Sequence, residues 1–130
     1  NRKLMISLDS SILIDYFRKT QKEKTAFYKL SGQYPHFAIS IITVFEVLCG
    51  ANSDQKRFWQ TIFDEMTILP FDAVVNEKAV EIYQTLKSSG NLIELRDLFI
   101  AASALAHDLP LATLNVKHFE RVNGLFLVEL

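Results

Sequence analysis

Short apolar runs alternate along the chain with longer stretches whose apolar residues recur every three or four positions. The opening run KLMISLD reads as a buried strand ending at Asp9. Ser10 caps a helix through about Arg18, with Ile12, Leu13, Tyr16 and Phe17 as its apolar stripe. Thr20 and Glu23 have capping-box spacing before a second helix to about Leu30. Gly32 and Pro35 break the chain, and FAISI forms a second strand. Thr43 and Glu46 make another box on a short helix ending near Gly50. Ser53 opens a helix carrying Phe58, Trp59, Ile62, Phe63 and Met66, followed by the strand TILP. A long helix is expected over 75–88, stopped by Gly90. Asn91 and Glu94 supply a third box before LRDLFIAASALAH. PLAT is a fourth strand, NVKHFERV a helix and LFLVEL a last strand.

Strands alternating with helices imply an α/β fold whose central, mostly parallel sheet is covered by helices on both faces. In such sheets ligands gather beyond the carboxyl ends of the strands. The length of 130 residues suits one domain spanning 1–130 with a single core. The apolar share of 49% predicts folding rather than disorder. No apolar run reaches the ~18 residues of a membrane span, and the opening run is too short for a secretion signal. The one cysteine, Cys49, excludes an internal disulfide and a cysteine zinc site. A cytoplasmic protein is expected. The net charge of −1 supplies no overall field toward nucleic acid, so any such binding depends on local patches.

The candidate chemistry lies in acids placed where acids are costly. Asp97 is flanked by Leu95, Leu98, Phe99, Ile100 and a run of alanines. Burying an unpartnered carboxylate costs several kcal/mol, so such a group pairs or protonates. Its plain alternative is a helix-start acid favoured by the dipole, with about equal weight. Glu46 sits among Val44, Phe45, Val47 and Leu48; taken alone it is a capping acid. Asp9, taken alone, is turn chemistry at a strand end. Asp15 reads as a surface partner of Arg18 or Lys19.

Together the acids mean more. In a parallel sheet Asp9, Glu46, Asp97 and Asn115 gather at one edge. Three carboxylates within ~4 Å repel by up to ~4 kcal/mol per pair at an effective dielectric of 20. Such a cluster persists by sharing protons or binding cations. Hard oxygen donors without cysteine or paired histidine point to Mg²⁺ or Mn²⁺, and carboxylate-held divalent ions serve phosphodiester hydrolysis.

At these residues the sequence resembles the PIN-domain family, specifically the VapC-like toxins of toxin–antitoxin systems. The matching stretches are LDSSILIDYFR, ISIITVFEVLCG, RDLFIAASALAHDLPLAT and NVKHFERVNGLFLVE, in family order and covering nearly the whole chain. The resemblance implies a three-layer PIN-like fold and a Mg²⁺- or Mn²⁺-dependent endoribonuclease. It also implies a cognate VapB-like antitoxin and a homodimer. Family acids carry over onto Asp9, Glu46 and Asp97, with Ser11 and Thr113 as supporting polar positions. The chain departs from the common pattern in having Asn115 where many relatives have Asp, and His118 where a further acid often sits. One tightly held ion and a weaker second are therefore expected.

Lys117 and Arg121 are candidate contacts for RNA phosphates, and Arg18, Lys19, Lys22 and Lys24 form a second basic cluster. His36 and His107 read as structural, and His118, the only histidine expected near the site, reads as an exposed helix residue rather than a catalytic one. The aromatics Tyr16, Phe17, Phe27, Tyr28, Phe58, Trp59 and Phe63 are mostly core, with enough surplus for a groove that takes an apolar partner segment. The rival functions are a catalytically weak or inactive PIN-like module binding RNA or protein, and a phosphoacceptor domain. The second lacks the adjacent acidic pair it needs, since Ser10 and Ser11 follow Asp9.

Overall fold

The computed structural model describes residues 4–130, so Lys3, the first residue of the expected opening strand, and the start of the expected 1–130 domain lie outside the described residues. Four strands form one sheet: β1 (Met5–Leu8), β2 (His36–Ser40), β3 (Thr67–Leu69) and β4 (Leu111–Ala112). Their order is β3-β2-β1-β4 and every pairing is parallel. Among the described residues seven α-helices accompany them: α1 (Ser10–Arg18), α2 (Ala26–Ser31), α3 (Ile41–Cys49), α4 (Ser53–Asp64), α5 (Ala73–Ser88), α6 (Leu95–Ala106) and α7 (Val116–Phe119).

Alternation along the strands divides the interior in two. Ile6, Leu8, Ile39 and Ala112 face a cluster built from α1–α4, with Leu13, Leu30, Val47, Trp59 and Phe63. Leu111 faces the opposite cluster, where Val75, Ile82, Leu98, Ile100 and Phe119 of α5, α6 and α7 meet. Ala38 and Leu69 form a smaller cluster with Leu109. A sheet covered on both faces buries the carboxyl-terminal part of its strands, which is why they read as apolar runs.

The first four expected strands and the helices opening at Ser10 and Ser53 fall where the apolar pattern put them; the three helix starts expected from capping boxes do not. None of the three expected capping boxes forms. Thr20 and Glu23 precede a 3-10 turn at Lys22–Lys24, and the Thr25 side chain caps α2 by accepting from the Tyr28 N–H. The chain turns there because the Lys22 ammonium donates to the Tyr16 and Phe17 carbonyls at the end of α1. Helix α3 starts before Thr43, because Ser40 at the end of β2 accepts from the Ile42 N–H at 3.0 Å. Asn91 belongs to the end of α5, where Gly90 at φ 72° lets the Asn91 N–H reach the Leu86 carbonyl at 2.8 Å. Helix α6 then begins after Glu94, whose side chain makes no cap. The true box is Asn52 with Gln55, on α4.

The expected last strand is a correction as well. Among the described residues 125–130 form no ladder, only a single parallel bridge from Leu127 to Leu111. The Leu111 N–H donates to the Phe126 carbonyl and the Val128 N–H to the Leu111 carbonyl, both at 2.9 Å. With β4 only two residues long, nothing remains to extend the pairing. The helix expected from NVKHFERV is likewise shorter, ending at Phe119.

Candidate functional site

The parallel sheet carries Asp9, Ser40 and Thr113 at the carboxyl ends of β1, β2 and β4. Asp9 is 3% exposed and sits between β1 and α1 with extended backbone, its carboxylate free of capping duty. Its Oδ2 accepts from Ser11 Oγ at 2.8 Å and from Thr113 Oγ1 at 2.7 Å. Those hydroxyls are held in turn: Ser11 Oγ accepts from the Leu114 N–H at 3.0 Å, and Thr113 Oγ1 from the Asn115 N–H at 2.9 Å. Hydrogen bonds to an ionised acceptor are strong, and each donor here is fixed by a second bond. The sequence-predicted supporting residues Ser11 and Thr113 thus hold one carboxylate in place.

Glu46 lies in the sixth position of α3, past the helix start, and not at the capping position expected of it alone. Its Oε2 takes the Arg96 Nε–H at 2.9 Å, while its Oε1 is buried without a hydrogen-bond partner. Burial pushes the Glu46 carboxyl above its ordinary value; Arg96 opposes this, and Asp9 and Asp97 reinforce it.

Asp97 is 6% exposed in the first turn of α6, so the helix dipole favours it and the core also encloses it. Burial raises its pKa first; Asp9 and Glu94 add to the rise, while His118 and Arg96 oppose it. The three carboxylates therefore feel one another across the edge of the sheet. Arg96, next in sequence to Asp97, turns away to Glu46 and to Glu94, 3.3 Å distant.

His118 lies near the site as an exposed helix residue, as expected, but with a contact that the sequence did not reveal. Its side chain is 49% exposed, yet Nδ1 stands 3.1 Å from Asp97 Oδ2. Phe119, wholly buried, anchors α7 and fixes where its neighbour His118 points. The one sequence signal for this was its position three residues after Asn115. His107 behaves as expected, its Nδ1 2.9 Å from the Ser103 carbonyl at the end of α6.

Two open clefts flank the acids. One, about 560 Å³, is lined by Ser11, Arg18, Lys19, Glu46, Arg96 and Asn115. The other, about 410 Å³, is lined by Asp97, Lys117, His118 and Arg121 together with 92–94. Asn115 faces the first cleft; it occupies the cap position of α7, but its side chain caps nothing. Of the second basic cluster only Arg18 and Lys19 reach the site: Lys22 is folded onto α1, and Lys19 pairs with Asp15 at 3.0 Å, as expected for Asp15.

These residues suit a hard divalent cation. Glu46 offers a buried, unpartnered oxygen, and burial disfavours the charge on both Glu46 and Asp97. Both costs fall when a cation arrives. Among the described residues no three His, Cys, Asp or Glu side chains are already gathered closely enough to chelate, so an ion would draw Glu46 from Arg96. No helix among them is long and apolar enough to cross a membrane.

Comparison with known proteins gives a consistent picture. The model of the PIN domain matches residues 6–125. Ribonuclease VapC1 of Methanocaldococcus jannaschii is 39% identical over 118 residues, which are 90% of this chain and 80% of that protein. A toxin–antitoxin complex from Klebsiella pneumoniae contains a chain 30% identical, with TM-score 0.77 over 95% of this chain and 96% of its own. The VapBC2 complex of Rickettsia felis, bound to a DNA fragment from its promoter, contains a chain with TM-score 0.84 at 23% identity, covering 95% of this chain and 97% of that one, and shares the fold.

Proposed function

The chain belongs to the PIN-domain family, in its VapC-like branch, and from that premise we propose that it is a Mg²⁺- or Mn²⁺-dependent endoribonuclease toxin restrained by a cognate antitoxin. The observation that carries this is the convergence of Asp9, Glu46 and Asp97 on one sheet edge, with Asp9 locked by hydroxyls and the other two desolvated. A bound divalent ion supplies charge that stabilises the phosphodiester during in-line attack by water. Asp9 and Asp97 hold that ion, with Glu46 and the corner at Asn115 completing the ring of donors. Ser11 and Thr113 keep the Asp9 carboxylate from rotating. Lys117 and Arg121, beside Asp97 in the second cleft, hold flanking RNA phosphates as fixed positive charges.

The partners follow from the same family assignment: RNA as substrate, a VapB-like antitoxin, and a second copy of the chain in a homodimer. We place the protein in the cytoplasm and treat 1–130 as a single PIN domain. The aromatic side of the molecule supports a protein partner: Tyr28 is 54% and Phe58 37% exposed, while Trp59 and Phe63 are buried beneath.

The test is cleavage of RNA with Mg²⁺ or Mn²⁺ against chelator, for wild type, Asp9→Asn and Asp97→Asn. Loss of a metal ligand is expected to lower the rate by about 10³-fold or more, since the ion contributes several kcal/mol to the transition state. Full activity in both variants sinks the assignment. No metal binding and no cleavage by wild type favours the inactive RNA- or protein-binding module instead.

A further inference from the structure

His118 stands at the acidic edge, yet none of the roles assigned above uses it. Its Nδ1 is 3.1 Å from Asp97 Oδ2, and it lines the cleft that Asp97 opens into. Two donors at neighbouring corners of an octahedron with bonds of about 2.1 Å stand about 3 Å apart. The contact is that of a hydrogen-bonded pair, and its spacing is also that of two ligands on one ion, which would take the place of the proton between them. The backbone that carries it is fixed: Phe119 beside it is fully buried, and the His118 backbone N–H donates to the Asn115 carbonyl at 2.9 Å. About half the side chain is open to the cleft, so an ion reaches the pair without unfolding α7. His36 precedes α3 by five residues on β2, and His107 is bonded to the Ser103 carbonyl, so neither competes for this role.

We propose that His118 is a nitrogen ligand of the divalent ion beside Asp97, and that it tilts the site toward Mn²⁺ over Mg²⁺. The proposal rests on the metal-dependent assignment made above. The chemistry is that of donor type. Mg²⁺ is satisfied by carboxylate and water oxygen, whereas imidazole suits first-row transition ions. A site with one imidazole among carboxylates accordingly discriminates between ions that an all-oxygen site treats more evenly. His118 thus takes the place of charge that Asn115 does not supply, with donor strength instead of a second negative group.

The experiment measures Mg²⁺ and Mn²⁺ affinity by calorimetry for wild type, His118→Ala and His118→Asp, alongside pulsed electron paramagnetic resonance of the Mn²⁺-loaded proteins. Wild type is expected to bind Mn²⁺ about 10-fold or more tighter than Mg²⁺ and to show coupling from a directly bound imidazole nitrogen. His118→Ala should lose that coupling and most of the preference. His118→Asp should keep binding both ions but with a flattened ratio. Because the residue is half-exposed, circular dichroism of both variants is expected to match wild type. Mn²⁺ bound by wild type without nitrogen coupling, or a ratio unchanged in both variants, overturns the role of His118 and leaves the metal assignment standing. Absence of binding of either ion by wild type overturns both.

Discussion

Asp9 and Glu46 are both acids at the carboxyl edge of the sheet, and they are held in opposite ways. Asp9 is gripped by neutral hydroxyls, Ser11 and Thr113, each tied to backbone N–H groups. Glu46 is held by a single cation, Arg96, which is half-exposed and shared with Glu94, and its other oxygen has no partner. The first corner is finished before any ligand arrives; the second is provisional. Neutral donors fix a carboxylate while leaving its charge for an incoming cation, whereas an ion pair spends that charge on a side chain that must move.

The largest test of this contrast acts on the finished corner. Thr113→Val keeps the shape but removes the hydroxyl from Asp9. Groups that orient a metal ligand are worth about 10–100-fold, so metal affinity and RNA cleavage should fall by that range. Arg96→Gln, on the provisional corner, should change cleavage by less than about 10-fold and tighten metal binding, because it removes the competing cation. Equal losses in the two variants, measured by calorimetry and cleavage rate, would erase the contrast.

The next test uses pH. The ordinary carboxyl values are 4.5 for Glu46 and 3.8 for Asp97, and folding raises both. The folded, metal-free protein thus holds these protons more tightly than the unfolded chain. Their stabilising contribution is full below the ordinary values and is lost as pH rises through the raised ones. In chelator, wild type should lose Tm across that interval relative to a Glu46→Gln, Asp97→Asn double variant, and added divalent ion should cancel the loss in wild type only. At neutral pH the metal-free double variant is expected to melt higher than wild type. Parallel pH curves for the two proteins would remove the provisional character of the Glu46 side.

The smallest expected effect belongs to Asn115. It faces the cleft with Glu46 and Arg96, and its side chain caps nothing. Asn115→Asp should tighten divalent-ion binding severalfold, in line with one added charge near the surface. No change in calorimetric affinity would place that side chain away from the ion.

Much of this was legible in one dimension. The runs KLMISLD, FAISI, TILP and PLAT became β1 to β4, because strands buried on both faces must be apolar throughout. Asp9, Glu46 and Asp97 could be picked out as acids in apolar surroundings. Helix starts were misread because a Ser, Thr or Asn three residues before Glu is a local pattern, and competing bonds decided each case: Ser40 for α3, Gly90 for the turn after α5, Lys22 for the turn after α1. The contact of His118 with Asp97 was not legible because nothing in the local sequence of His118 reveals that acid, twenty-one positions earlier.

The sequence by itself determined the parallel α/β sheet and the family to which the chain belongs, since these follow from apolar periodicity and from ordered local motifs. Only the tertiary structure decided which partner each acid received. Asp9 obtained the hydroxyl of Thr113 from the carboxyl end of β4, Glu46 obtained Arg96 from α6, and Asp97 obtained His118 from α7. Those pairings depend on the register of β1 against β4 and on how α6 and α7 pack, and a hydrogen bond or ion pair tolerates errors of only a fraction of an ångström in that packing.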